Sequence, residues 1–225
     1  VDKLPTTSQI TPFQFCQTFQ PYLEAGDEIV MILLSSQLSG TYQSALTAKQ
    51  MLQTDKIYLV DSLNAALGQH LLVQIAVRLR EQGLSAQQIA TQLTALNQKV
   101  CLIACMKTMK YLQMGGRISA ATAKIGGILG ITPIISLING KVEVVGKVRG
   151  HKAALRWMEQ HLEKEPADER YPVVFSHSVN LAGRDEMVQA LDTFLPNNDY
   201  LYCDLGSTVG THIGPGAIGF AYIKA

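Results

Sequence analysis

Two polar segments in this chain carry side chains whose types and spacing are suited to binding an anion. Hydroxyls cluster in LPTTSQIT, where Thr7 and Ser8 precede a helix-like pattern. In SSQLSGTYQSA, Ser39 and Gly40 offer a hydroxyl and backbone N–H groups between a buried-strand pattern and a helix. Ligands of open α/β sheets gather at the carboxyl ends of strands, and a helix N-terminus attracts anions. The second segment is therefore a candidate anion site, and the first offers further hydroxyls beside a helix start.

A third segment, GSTVGTHIGPGAIGFAY, contains five glycines around a single histidine, His212, which we expect to lie in a loop. An imidazole titrates near neutral pH and can donate a hydrogen bond to a carboxylate. Taken alone, each of the three segments also has a plainer interpretation. Ser and Thr before a helix commonly cap it, glycine serves backbone geometry, and a lone histidine is more often structural than catalytic.

Basic and acidic residues add further candidates. Arg117 lies in GGRIS and Arg149 in GKVRGHKA, and a guanidinium fork suits phosphate or carboxylate, although both arginines can equally be solvated residues beside turns. Asp61 and Ser62 end a strand pattern, where they contribute to the site or simply cap a helix. Ser8 and Ser36 are further candidates for the same site.

Composition and motifs exclude several classes of protein. A formal net charge of +1 argues against binding nucleic acid through bulk electrostatics. The patterns GxxxxGK[ST] and GxSxG do not occur. The apolar runs are shorter than the roughly 20 residues that span a bilayer, and the start of the chain does not resemble a secretory signal. Four cysteines without zinc-like spacing indicate reduced thiols in a cytoplasmic protein, and we expect no metal site.

The elements alternate between strand and helix patterns, which predicts an α/β fold with a parallel sheet. A helix is predicted from Pro12 with Thr11 as its cap, and another between the two Gly-Gly pairs of YLQMGGRISAATAKIGGILG. Buried strands are predicted at EIVMILLS and KIYLVDS, and a hairpin at Asn139-Gly140. We place an α/β domain at 1–83 and an α+β domain at 84–225, a later segment of which can return to the first domain.

Six segments, in this order, resemble the DegV family of bacterial fatty-acid-binding proteins: TTSQ, SSQLSGTYQSA, DS followed by LGQ, GGRIS, KVRGHKA and GTHIGPGAIG. The resemblance implies a parallel-sheet α/β domain and a smaller domain with an antiparallel sheet, with a fatty acid held between them. It also implies an acyl-binding subunit of a two-part fatty acid kinase. Such a subunit presents the carboxylate to a separate ATP-binding subunit, which makes acyl phosphate for phospholipid synthesis.

The resemblance assigns roles to the candidate residues. Thr7, Ser39 and the Gly40 N–H match positions that hold the carboxylate, and His212 matches a histidine near the same head group. Arg149 and Arg117 would steady the transferring phosphate or contact the kinase subunit. The implied partners are a long-chain fatty acid and the kinase subunit, with no cofactor, no nucleic acid, no integral membrane segment and at most transient contact with a membrane surface.

The chain also departs from the family pattern. Family members typically begin with a strand and loop of the form xxDSTxDL ahead of the TSQ motif, whereas this chain starts almost at that motif. We therefore expect the first strand and helix to be missing. Ile10 and Thr11 replace a common Pro-Ser, and His70 replaces a common glycine.

Burying an acyl chain supplies affinity without any charged partner. The gain in binding free energy is about 0.8 kcal/mol per methylene, or on the order of 10 kcal/mol for about 16 carbons, before the entropic cost of ordering the chain is subtracted. The chain is 47% hydrophobic, which is compatible with such a tunnel. Lacking a nucleotide-binding loop or an acidic cluster for Mg²⁺, it is not expected to catalyse phosphoryl transfer alone. Two alternatives remain: a fragment that no longer binds lipid, or an autonomous esterase or acyltransferase using Ser39 and His212 with Asp61 or Asp204.

Overall fold

The computed structural model describes residues 4–119, 130–195 and 199–225, which form two layers. The first layer contains a two-stranded parallel sheet, β1 (Ile29–Leu33) and β2 (Ile57–Asp61). Its helices are α1 (Pro12–Glu24), α2 (Thr41–Leu52), α3 (Ala66–Glu81) and α4 (Ala86–Leu96).

A capping box at Thr11 begins α1. The Thr11 hydroxyl accepts a hydrogen bond from the Gln14 N–H, and the Gln14 side chain accepts one from the Thr11 N–H. The cap predicted at Thr11 is thus confirmed.

The second layer is a six-stranded sheet in the order β5-β4-β3-β8-β6-β7. Its strands are β3 (Val100–Cys105), β4 (Ile131–Ile138), β5 (Lys141–Arg149), β6 (Val173–His177), β7 (Tyr200–Asp204) and β8 (Ile218–Ile223). Its helices are α5 (Lys110–Met114), α6 (His151–Lys164), α7 (Leu181–Leu191) and α8 (Ser207–Ile213). The α/β fold is confirmed, but this second sheet is the larger one, and it is mixed because β6 and β7 pair in parallel.

Alternation along β8 gives the large sheet two different faces. Ile218, Phe220 and Tyr222 pack toward α6 and α7, whereas Ala217 and Ala221 belong to the core between the sheets. Helix α3 contacts β1 of the small sheet and strands β3, β6 and β8 of the large one. The two layers therefore share a core, and the division at residues 83 and 84 stays a prediction.

Two further expectations can be compared with the structure. The hairpin at Asn139-Gly140 is confirmed by the pairing of β4 with β5. The segment around His212 was expected to be a loop, which is wrong, because His212 lies in the last turn of helix α8. A helix expected between Met114 and Gly130 lies largely outside the described residues.

Cys101 and Cys105 lie on the same face of β3, as their spacing predicts, and all four cysteines are free thiols. Within the described parts of the chain, no helix is long and apolar enough to cross a membrane.

Candidate functional site

A cavity of about 340 Å³ lies between the small layer and the inner face of the six-stranded sheet. Its roof is formed by the loop after β1, through Leu34 and Leu38, and by the first residues of α3, 65–67. Its floor consists of side chains from five strands of the large sheet: Leu102, Ala104, Ile135, Leu137, Val142, Ser176, Ala217 and Gly219.

Small residues in the middle of the floor leave space for the cavity. Ile135, Ala104, Gly219 and Ser176 are directly paired across β4, β3, β8 and β6, so they form one row perpendicular to the strands. Neighbouring strands lie about 4.8 Å apart, so this row is about 14 Å long. At its centre, Ala104 and Gly219 carry a methyl group and a hydrogen where larger side chains would fill the cavity.

Four predicted head-group residues line this cavity: Thr7, Ser39, Gly40 and His212. Thr7 Oγ1 and His212 Nε2 are 3.0 Å apart and share a hydrogen bond, which joins the N-terminal segment to helix α8. Arg117 and Ser8 also line the cavity. The structure thus gathers hydrogen-bonding groups from segments that are 205 residues apart in the chain.

The His212 ring is packed closely. Gly115 has no side chain where a Cβ atom would collide with the ring, and His212 Nδ1 is buried with no hydrogen-bond partner among the described residues. Burial lowers the pKa of His212 from 6.5, and the Arg117 cation lowers it further. The imidazole is therefore neutral at pH 7.

Ser39 and Gly40 lie at the start of α2. Gly40 is the N-cap residue, and the Gln9 side chain packs over it in the space that a Cβ would occupy. Ser39 Oγ lies 2.8 Å from Thr41 Oγ1 and accepts a hydrogen bond from the Thr41 N–H at 3.3 Å. A hydroxyl and a helix N-terminus therefore border the cavity at the same point, an arrangement that favours an anion.

Arg117 fastens two loops beside His212. Its Nε donates to the Leu38 carbonyl at 3.2 Å and its Nη1 to the Gly115 carbonyl at 2.6 Å. The guanidinium thus positions both the loop after β1 and the turn that packs on the His212 ring.

Four other candidate residues do not line the cavity. The Asp61 carboxylate accepts from the backbone N–H groups of Ser36 and Leu63, and the Ser62 hydroxyl donates to the Asn64 carbonyl at 2.9 Å. Asp61 and Ser62 thereby order the loop after β2, and Ser36 is exposed. Arg149 is exposed at the end of β5, where it pairs with Ile131.

The geometry does not show an activated serine. The described hydrogen bonds of the Ser39 hydroxyl go to Thr41, and that of the His212 ring goes to Thr7. Asp61 orders a loop, and Asp204 ends β7 with an exposed side chain. In the described ranges, no group of three or more His, Cys, Asp or Glu residues is placed to hold a metal ion.

Sequence reasoning missed the small floor residues and Gln9. A signal existed for part of the floor, because Ala217, Gly219 and Ala221 alternate with large side chains along β8. Ala104 and Ile135 had no such signal, since buried apolar residues have the same composition whether they line a cavity or fill a core.

The family model for the uncharacterised DegV proteins matches residues 1–225. The chain belongs to the DegV family. The resemblance in the motifs is thereby confirmed. A DegV domain-containing protein of Caldanaerobacter subterraneus subsp. tengcongensis is 34% identical over 219 residues, which cover 96% of this chain and 78% of that protein.

Solved structures of DegV proteins are also similar. A Thermus thermophilus DegV family protein, described as binding fatty acid, superimposes with a TM-score of 0.89 at 30% identity, covering 98% of this chain and 79% of its own. The Streptococcus pneumoniae Fatty Acid Kinase B3 protein, loaded with linoleic acid, gives a TM-score of 0.88 at 22% identity, covering 99% and 79%. At that identity the second comparison shows a shared fold.

Proposed function

We propose that this protein binds a long-chain fatty acid in the cavity and presents the carboxylate to a separate ATP-binding kinase subunit. One observation carries the proposal: an apolar cavity has hydrogen-bonding groups gathered at Thr7, Ser39, Gly40 and His212. Fatty acid binding by the Thermus thermophilus relative supports the ligand class.

The two parts of a fatty acid match the two kinds of lining. The acyl chain gains about 0.8 kcal/mol for each methylene that leaves water for the apolar walls. The carboxylate needs donors, because an unpaired buried charge is strongly unfavourable. The Thr7 and Ser39 hydroxyls and the Gly40 N–H provide donors, and the N-terminus of α2 and the Arg117 cation provide favourable charge.

The proposal that the carboxylate is presented to a kinase is supported by the family motifs and by the geometry of Ser39 and His212. Ser39 and His212 do not form a nucleophile–base pair, because the ring bonds Thr7 and the hydroxyl bonds Thr41; this favours presentation to a second protein over hydrolysis by the chain alone. In this proposal the Arg117 cation, together with His212 once it takes up a proton on ligand binding, offsets charge on the acyl phosphate as it forms. Arg149, exposed at the end of β5, contacts the kinase subunit or its phosphate.

Native mass spectrometry of the purified chain, followed by solvent extraction, tests the ligand. A stoichiometric fatty acid is expected, and an empty protein that takes up neither oleate nor palmitate would overturn the proposal. After delipidation, Ser39→Ala should weaken binding about 10-fold or more, since a hydrogen bond to a charged group contributes about 1.5–3 kcal/mol. Ser36→Ala is the matched control, because Ser36 lies in the same loop but does not line the cavity.

The kinase step has its own test. The loaded protein, a purified ATP-binding fatty acid kinase subunit and ATP-Mg²⁺ should yield acyl phosphate, and omission of either protein should abolish it. Hydrolysis of a fatty acid ester by the chain alone would favour the esterase alternative instead.

A further inference from the structure

The floor of the cavity is held in place by the sheet. Strands β3 and β8 are interior, so each is hydrogen-bonded on both sides. The two also approach closely, since a Cβ built on Gly219 would lie 2.8 Å from the Ile103 carbonyl oxygen. The floor therefore cannot move outward to admit a larger ligand without breaking strand pairing.

The roof is fastened by a cluster of buried polar groups. The Ser35 hydroxyl donates to the Gly140 carbonyl at 2.8 Å, which joins the loop after β1 to the tip of the β4–β5 hairpin. The Ser35 N–H donates to the Asn64 carbonyl at 2.7 Å, which joins the same loop to the start of α3. Ser35 and Asn64 are at most 2% exposed, so water does not compete for these bonds. Leu34 and the start of α3 are thus fixed relative to the floor.

A cavity with a fixed floor and roof limits how much of an acyl chain it can enclose, and we infer that this one encloses about 14 carbons. An engineered cavity of about 150 Å³ holds benzene, which corresponds to roughly 25 Å³ per carbon. The volume of about 340 Å³ then holds about 14 such groups. This inference rests on the proposed function and specifies the substrate class for the same site.

Ala104 is the residue that we assign as setting this limit. It lies in the middle of the floor row, between Ile135 and Gly219, and its side chain is only 9% exposed. Ala104→Val adds two carbons to the floor without touching a head-group residue. At roughly 25 Å³ per carbon, the limit should fall by about two carbons, to about 12.

The experiment measures the affinity of the delipidated chain for saturated fatty acids of even length from decanoate to stearate, by displacement of a fluorescent fatty acid. Affinity should rise about fourfold per methylene up to about 14 carbons and then stop rising. In Ala104→Val the same curve should stop about two carbons earlier. Ala90→Val is the control, because Ala90 is also 9% exposed in the shared core but does not line the cavity.

The possible failures are distinguishable. An affinity that rises steadily through stearate overturns the length limit while leaving fatty acid binding intact. Absence of binding at every length overturns the proposed function itself. An equal shift in Ala104→Val and Ala90→Val, or none in Ala104→Val, overturns the assignment to Ala104. Should Ala104→Val not fold, Ala217→Val makes the same test, since Ala217 also lines the floor.

Discussion

At the scale of single residues, the candidate site combines polar groups that can be predicted from the sequence with apolar groups that cannot. Thr7, Ser39 and His212 were predicted because their segments match the DegV motifs, although each segment taken alone also has a plainer structural explanation. Ala104 was not, because the size of a void depends on what every facing residue leaves empty. The sequence therefore predicts the hydrogen-bonding groups of the cavity better than its shape.

His212 makes binding depend on pH in a predictable direction. Its pKa lies below 6.5 in the free protein because of burial and Arg117. A bound carboxylate would favour the imidazolium and raise that pKa, so binding takes up a proton. We therefore expect affinity to increase as pH falls from 8 to 6 and to level off below the pKa of the free protein.

Fatty acid affinity measured across this range checks the prediction, with His212→Gln as the comparison. The variant keeps a side chain that can bond Thr7 but does not titrate, so its affinity should be nearly constant. A wild-type affinity that is equally flat would show that the imidazole does not approach the carboxylate.

At the scale of elements, local signals predicted the hairpin but not where its tip lies. Asn139-Gly140 specifies the turn, since both residues adopt positive φ, 50° and 80°. Contact between Gly140 and Ser35 joins residues 105 apart, and no local pattern encodes such a contact. Helix α8 shows the opposite case: Gly210 disfavours a helix by about 1 kcal/mol, yet packing against α5 supports one.

Gly140 and Gly83 provide a matched test of the hairpin contact. They have similar φ, 80° and 85°, but a Cβ on Gly140 would collide with the Ser35 hydroxyl, whereas a Cβ on Gly83, which follows the end of α3, meets nothing within 4 Å. Gly83→Ala should cost about 1–2 kcal/mol for the left-handed backbone alone. Gly140→Ala should cost about 1 kcal/mol more, because the bond from Ser35 to the Gly140 carbonyl is disturbed as well.

Urea unfolding of the two variants measures this difference, and equal losses would mean that the hairpin tip does not fasten the roof of the cavity. The same comparison bears on the length limit, because a loosened roof should admit longer chains.

At the scale of the whole molecule, alternation of strand and helix predicted an α/β fold, but not the order of strands. The final strand, β8, inserts between β3 and β6, so the centre of the large sheet forms only when the end of the chain is present. The floor of the cavity combines β3, β4, β5, β6 and β8, and its roof comes from the first layer. Ligand binding should therefore stabilise both layers together.

Thermal unfolding tests this coupling. A ligand at 100 times its Kd adds about 2.7 kcal/mol to the stability of the folded state, which corresponds to a rise in Tm of about 5–10 °C for a chain of this size. Because α3 contacts both sheets, the whole transition should move as one rather than split in two. The methyl ester of the same fatty acid is the control: it keeps the acyl chain but lacks the anionic head group, so its shift should be smaller. If acid and ester stabilise equally, the groups around Thr7 and Ser39 do not bind the carboxylate, and affinity arises from the apolar walls alone.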